Sequence, residues 1–283
     1  MSTILDVKLS REELLELFLH NRSVPGADQY ARILDIEHRW IVPWADEVER
    51  KSPVLESRTD LVAALRNRLA EEEANPTESD RFLAEQASRE QFGVIVADFA
   101  IDGLTEAQSF FPVLQRLPHR AQMAVLRVLI DEFGCGNVEQ SHSQLYRNLL
   151  TELNLSIQLE DYYGSVSAET LSFVNLFYWM AARAPQPEYF LGALAYLEAS
   201  ILYAFRPFAA AAERLGLSHG RYYTEHLHID NYHMKEMQIA IRELDAVRPI
   251  DCQKVWAGVE LGSMTIGGAI DAAVAKARAV GPR

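Results

Sequence analysis

Residues 187–205 read PEYFLGALAYLEASILYAF, a run that is apolar nearly all round a helix. Such a helix belongs at the centre of a helical protein, because a surface helix keeps one polar face. Glu198 is the one charged residue between Phe190 and Phe205. A glutamate is rarely buried unless it is paired or bound to a metal. The run therefore predicts a central helix and a partner for Glu198, either a metal ion or a buried arginine such as Arg206.

Signals for further helices extend along the rest of the chain. Ser10 and Glu13 form a capping box at the start of an amphipathic stretch, and a second apolar run spans residues 167–185. Alternating β-branched runs and Asn-Gly hairpin turns are absent from the sequence. We therefore predict an all-α fold. The Asn75-Pro76 break is the best boundary, and it divides the chain into a helical extension, residues 1–76, and a core, residues 77–283.

Composition limits the classes of partner. With 283 residues, 49% of them hydrophobic, the chain is long enough for a large core, and its net charge of -13 argues against nucleic-acid binding. Two cysteines without CxxC spacing fit a reducing compartment. The sequence shows neither a long uncharged apolar stretch nor a signal peptide. We expect a soluble, cytoplasmic protein without a membrane partner, whose N-terminal helices pack on the core or form a homodimer interface.

Residues 226–233, HLHIDNYH, carry a stripe of possible metal ligands. His226, Asp230 and His233 are spaced i, i+4 and i+7, which places them within an arc of about 60° on one helix. Two imidazoles and a carboxylate are ligands that suit iron, manganese or zinc. The flanking residues are largely apolar, so the helix is expected to be covered, and burial of these polar groups without a partner costs several kcal/mol. A single histidine would more often be solvated or hydrogen-bonded, but the three together favour a metal.

A second polar cluster lies at residues 130–150, IDEFGCGNVEQSHSQLYRNLL. Glu139 stands three residues before His142, which is the Glu-x-x-His spacing that carboxylate metal sites use in helical bundles. Glu132 lies ten residues before His142, and the glycines between them allow one helix to end and another to begin. Either glutamate could therefore bind a metal together with His142. The alternative is a polar connection between helices without a site.

Taken together, these segments resemble the haem-oxygenase-like diiron oxidases and oxygenases, from about residue 85 to residue 245. The resemblance implies a seven-helix haem-oxygenase-like bundle after the N-terminal helical extension, with two iron ions and O2 as co-substrate. It favours Glu132 over Glu139, because the family's glutamate belongs to a DEFG-type segment. The implied ligands are Glu132, His142 and His226 for one iron, and Glu198, Asp230 and His233 for the other.

One further carboxylate bears on the subclass. N-oxygenating members of the family carry an extra carboxylate before the DEFG-type segment, and Glu106 stands 26 residues before Glu132. The resemblance therefore implies that Glu106 bridges the irons or completes a site, although an exposed helix residue is the alternative. The implied activity is N-oxygenation of an amino-acid amine in specialised natural-product metabolism, with an external electron donor. Arg206 or Arg221 would bind the substrate carboxylate.

Two other functions compete with N-oxygenation. The first is oxidation at carbon, by desaturation, decarboxylation or C–C fragmentation of an amino acid or fatty acid, with the apolar residues 173–179 lining an acyl site or simply filling the core. The second is a helical metal-binding protein without catalysis. Tyr203 and Tyr232 are close enough in sequence to the predicted ligands to orient them, although core packing also explains tyrosines in such helices.

Overall fold

The computed structural model describes residues 9–281, apart from the side chain of Asp230. That part of the chain contains α-helices and no strand, which confirms the all-α prediction. The helices are α1 (Arg11–Asn21), α2 (Ala27–Arg39), α3 (Ile41–Lys51), α4 (Arg58–Ala74), α5 (Glu78–Arg81), α6 (Arg89–Asp98), α7 (Ala100–Gly103), α8 (His119–Glu132), α9 (His142–Glu152), α10 (Ala168–Ala182), α11 (Glu188–Ala204), α12 (Arg206–Arg214), α13 (Arg221–Asp245) and α14 (Cys252–Val280).

Shorter helical turns connect these helices. A π-helical turn spans Phe82–Gln86, and 3₁₀ turns span Gln108–Arg116, Gly134–Gly136, Val138–Gln140 and Leu159–Tyr162. The apolar spacing of a helix continues from Gly26 up to and past Pro43 in the sequence, but the structure ends α2 at Arg39 and begins α3 at Ile41. Pro43 lies in the first turn of α3, where its missing N–H group costs no helical hydrogen bond.

Helices α10 and α11 form the centre of the protein, as their apolar sequences predict. Helix α11 packs against α13 and α14, and α10 packs against α14. A Cβ atom on Gly192 would collide with the backbone carbonyl of Val255, and one on Gly258 would collide with that of Tyr189. Helices α11 and α14 therefore meet backbone to backbone. This contact fixes the position of α11, which carries Glu198 less than two turns beyond Gly192.

The N-terminal helices pack on the core. Helix α1 lies against α10, α3 against α14, and α4 against α11 and α14. A buried ion pair joins α2 to the end of α10, with Arg183 Nη2 2.6 Å from Glu37 Oε1. The division into residues 1–76 and 77–283 and the homodimer stay predictions. No helix within residues 9–281 has the length and apolar character that crossing a lipid bilayer requires.

Candidate metal centre

A sharp turn between α8 and α9 brings Glu132 and His142 together. Glu132 ends α8, and Gly134 and Gly136 follow with φ of 61° and 84°. Glycine adopts this left-handed conformation without the penalty that a Cβ atom adds. A Cβ on Gly134 would also lie 2.5 Å from the backbone N of Ser141. The turn allows α9 to begin at His142, whose Nδ1 lies 2.8 Å from Glu132 Oε2.

Four side chains form the first group of possible ligands. Glu106, Glu132, His142 and His226 each offer one atom, and these atoms lie within 4.8 Å of one another. His226 Nε2 lies 3.1 Å from Glu106 Oε1, and the rings of His142 and His226 are 4.1 Å apart at their centroids. Glu106 follows α7 in a turn, and its side chain is 17% exposed. It is therefore not the exposed helix residue of the alternative interpretation.

Glu132, Glu198 and His233 form the second group. His233 Nδ1 lies 3.1 Å from Glu198 Oε2 and 3.5 Å from Glu132 Oε1. Glu198 thus meets an imidazole, whereas Arg206 pairs with Glu73 at 2.7 Å. The backbone of Asp230 lies in α13 between the two histidines, but its side chain is outside the described part of the chain. Its metal-binding role stays a prediction.

The two groups share Glu132. Its Oε2 lies next to His142 in the first group, and its Oε1 lies next to His233 in the second. A carboxylate can present its two oxygens to two different cations. Glu132 therefore lies between the two groups, whereas Glu106 belongs to the first group alone.

The charges in the cluster fit metal cations. Burial acts to raise the pKa of Glu132, but His142, together with the histidines of α13, outweighs burial and lowers it to about 2. Burial, with the neighbouring Glu106, raises the pKa of Asp102 to about 8. Carboxylates and imidazoles thus converge in a buried space that favours added positive charge. Divalent cations supply that charge, and nitrogen and oxygen ligands suit iron.

Two unsatisfied atoms support the same conclusion. Among the described residues, Glu106 Oε2 is buried and has no hydrogen-bond partner. His142 Nδ1 is close to Glu132 Oε2 but is not aligned for a hydrogen bond with it. Buried polar atoms are rarely left unsatisfied in this way. Ligand atoms that point at a common ion, rather than at each other, would have this arrangement.

A cavity with a volume of about 660 Å³ adjoins the cluster. Its lining includes Glu106, Glu132, Glu198 and His226, and apolar side chains such as Phe99, Phe110, Phe173 and Phe177 form much of the remaining wall. The lining also includes Glu72, Glu73, residues 75–77, Tyr203 and Arg206. An apolar space with a few polar groups is the usual form of a small-molecule site.

The remaining predicted site residues divide into two sets. Arg206 and Tyr203 line the cavity, where the Tyr203 hydroxyl donates a hydrogen bond of 2.6 Å to Glu72. Tyr203 therefore fixes α4 against α11 and does not orient a metal ligand through this bond.

Three predicted residues lie away from the cluster. Arg221 pairs with Glu225 at 3.1 Å and is outside the cavity lining, so it is poorly placed to bind a substrate carboxylate there. Tyr232 is 56% exposed, because it lies on the solvent face of α13. Glu139 is exposed in the 3₁₀ turn before α9, which leaves Glu132 as the partner of His142.

Two residues next to the cluster were missed by sequence reasoning. Tyr222 donates a hydrogen bond of 3.1 Å from its hydroxyl to Glu106 Oε1, and Asp102 lines the cavity. Tyr222 lies one turn before His226 on the same helix, and this spacing is a signal that could have identified it. Nothing in the sequence around Asp102 distinguishes it from an ordinary helix residue.

Comparison with known proteins adds two findings. A family model described as "Iron-containing redox enzyme" matches residues 95–264, more than half of the chain, and this range includes both ligand groups. The nitrosourea synthase of Streptomyces achromogenes subsp. streptozoticus is 28% identical over 144 residues, which are 49% of this chain and 30% of that protein. The chain therefore spans less than a third of the length of this curated relative.

Proposed function

The chain belongs to the iron-containing redox enzymes, and from that premise we propose that its cluster binds two irons without haem and that the protein is an O2-dependent oxygenase of a small molecule. The observation that carries the proposal is that Glu132 belongs to both ligand groups. A haem iron takes one or two axial ligands from the protein, whereas this cluster offers three carboxylates and three imidazoles. That donor set supports two bare metal ions.

In this proposal the first iron is held by Glu106, His142 and His226, the second by Glu198, His233 and Asp230, and Glu132 lies between them. Two ferrous ions at these positions would together supply the two electrons that the first reduction of O2 requires. The protein's own residues bind the substrate and orient it. The apolar wall of the cavity excludes water and holds the body of the substrate.

The proposed substrate is an amino acid whose amine becomes oxygenated. Two observations support nitrogen as the target. Glu106 lies within the first ligand group, as the carboxylate that marks N-oxygenating members of the resembling family. In addition, the name of the matching relative refers to a nitrosourea, a compound with an N-nitroso group. Arg206 lines the cavity and supplies a positive charge for the substrate carboxylate. An external electron donor completes the proposal.

Oxidation at carbon is the second candidate, and the lining of the cavity favours it. Phe173, Val174 and Phe177 line the cavity, so the apolar segment predicted to be an acyl site or core does face the space beside the cluster. A fatty acid or an apolar amino acid would bury its chain there. Desaturation, decarboxylation or C–C fragmentation of such a substrate would then take place beside the cluster.

The test combines iron content with oxygen consumption. Metal-free protein is dialysed against Fe(II) without oxygen, and bound iron is measured per chain. The loaded protein is then mixed with O2 in the presence of amino acids, amines or fatty acids, and products are analysed by mass spectrometry. We expect two irons per chain, substrate-dependent oxygen consumption, and a product that has gained an oxygen atom from labelled O2 at nitrogen.

Each alternative has its own result. A product that has lost hydrogen or carbon dioxide would favour oxidation at carbon. Iron binding of one ion or none, or oxygen consumption no faster than that of Fe(II) in buffer, would contradict the diiron oxygenase. Zinc-loaded protein is the control for effects of the polypeptide alone, because zinc keeps its oxidation state.

A further inference from the structure

Tyr222 lies beside the first ligand group without belonging to it. Its side chain is 4% exposed, and its ring centroid lies 4.8 Å from the His226 ring and 4.8 Å from the Tyr146 ring. Tyr146 is itself fixed, because its hydroxyl donates to the Val96 carbonyl at 2.6 Å and its ring lies where a Cβ on Gly103 would be. The Tyr222 ring is therefore held in one place between two fixed neighbours.

Two hydrogen bonds connect Tyr222 to two of the proposed ligands. Its backbone carbonyl lies 2.7 Å from His226 Nδ1, and its hydroxyl donates to Glu106 Oε1 at 3.1 Å. A carbonyl oxygen only accepts, so His226 carries a proton on Nδ1. The other ring nitrogen, Nε2, lies 3.1 Å from Glu106 Oε1. One residue thus sets both the tautomer of the histidine and the orientation of the glutamate.

We propose that Tyr222 is a positioning residue that sets the metal affinity of the first ligand group and not that of the second. This inference rests on the proposed two-metal site. Hydrogen bonds to metal ligands fix their orientation, and loss of such a bond typically lowers metal affinity by about 10–100-fold. The Tyr222 hydroxyl donates its hydrogen bond to Oε1 of Glu106. The other carboxylate oxygen, Oε2, is buried and has no hydrogen-bond partner among the described residues, so it remains available to a cation.

The second ligand group depends on different contacts. Its described contacts join His233 to Glu198, Glu132 and Asp131, at 3.1, 3.5 and 3.4 Å. These residues lie on α8, α11 and the middle of α13. Tyr222, in contrast, lies in the first turn of α13. The hydroxyl of Tyr222 therefore acts on one metal position, and this asymmetry is what separates a positioning role from a general effect on folding.

The test is a titration of metal-free protein with Mn(II), followed by the electron paramagnetic resonance signal of unbound Mn(II). The first variant is Tyr222→Phe, which keeps the ring and the backbone carbonyl. The second is Glu106→Gln, which alters a proposed ligand of the first group and so shows which step of Mn(II) binding belongs to that group. Tyr223→Phe is the matched control, since Tyr223 is the adjacent buried tyrosine and its ring stacks on Phe208 at 5.1 Å. Thermal unfolding of each metal-free variant shows whether it is folded.

Two binding steps are expected for the wild-type chain. Glu106→Gln and Tyr222→Phe should weaken the same step, Tyr222→Phe by about 10–100-fold, while Tyr223→Phe should leave both steps unchanged. If Tyr222→Phe binds Mn(II) as the wild type does, or loses both steps equally, the positioning role is overturned while the two-metal site stands. If the wild-type chain itself binds fewer than two ions, the proposed function fails, and the inference about Tyr222 fails with it.

Discussion

His142 and Glu132 face each other across the turn between α8 and α9, with Nδ1 of the histidine 2.8 Å from Oε2 of the glutamate. Each residue lies at the end of its helix, so neither helix alone determines the distance between them. The backbone of the turn determines it. Gly134 and Gly136 both have positive φ, but a Cβ atom would meet neighbouring atoms only at Gly134. Alanine substitutions at the two glycines therefore test how much the packing of the turn contributes to the site.

Gly134→Ala should be more damaging than Gly136→Ala. Both substitutions place a Cβ in a left-handed conformation, at a cost of about 1–2 kcal/mol. At Gly134 the new atom would also lie 2.5 Å from the Ser141 backbone N, whereas at Gly136 it meets nothing within 4 Å. We expect Gly134→Ala to lower the free energy of unfolding by at least about 2 kcal/mol more than Gly136→Ala, and to lose iron. Urea unfolding and iron analysis measure both effects, and equal losses would argue against the steric role.

Glu132→Ala should remove both metal ions rather than one. Glu132 is the member that the two ligand groups share, so each position loses an oxygen ligand when it is truncated. The matched control is Glu139→Ala, which alters an exposed glutamate in the same connection between α8 and α9. Iron per chain after anaerobic loading is the measurement. Retention of one tightly bound iron by Glu132→Ala would contradict the shared role.

Gly192→Ala should strongly destabilise the fold. The added Cβ would overlap the Val255 carbonyl at the contact between α11 and α14, and the two helices would have to separate. Overpacking of a buried contact costs about 3 kcal/mol when the neighbour is backbone. Gly93→Ala in α6 is the control, because nothing lies within 4 Å of its Cβ, and replacement of a helical glycine by alanine contributes about 1 kcal/mol. Denaturant unfolding of the two variants should therefore shift in opposite directions.

Arg206→Ala should raise the KM for an amino-acid substrate and leave kcat nearly unchanged. Arg206 lines the cavity but is 59% exposed at the side chain, so its bond to a carboxylate is partly screened, and we expect about a tenfold effect. Arg221→Ala is the comparison, since Arg221 pairs with Glu225 outside the cavity lining. Steady-state kinetics with the amino acid and with its decarboxylated amine separate the outcomes. An equal response of the two substrates would exclude Arg206 as the carboxylate site.

Sequence reasoning predicted the central helices well for a physical reason. Helices α10 and α11 are apolar on all sides, so their burial does not depend on which face points inward. The break at Trp40 was not predicted, because the apolar spacing continues across it and the one signal, Pro43, also fits the first turn of a helix.

Helical phase explains which residues of α13 the structure brings together beside the ligand groups. Tyr222 lies about 40° from His226 around α13, whereas Tyr232 and Arg221 lie about 120° and 140° away. The angular spacing that places His233 on the same side of the helix as His226 also places Tyr222 there. It places Tyr232 and Arg221 on other sides.

Glu106 shows the limit of such arithmetic. It was identified through resemblance and not from its surroundings in the sequence. Its position depends on a turn in which Ala107 adopts a φ of 60°, a conformation that alanine disfavours and no sequence pattern predicts.

The wall of the cavity includes part of the N-terminal segment of the chain. Glu72 and Glu73, at the end of α4, and residues 75–77 lie in that wall together with Ser263 and Ile266 of α14. Hydroxyl groups of Tyr196 and Tyr203 hold Glu72 against α11 at 2.8 and 2.6 Å. The end of α4 is therefore a boundary as well as a support: it forms one side of the cavity, so the N-terminal part of the chain helps to determine the size and shape of the molecule that the cavity can admit.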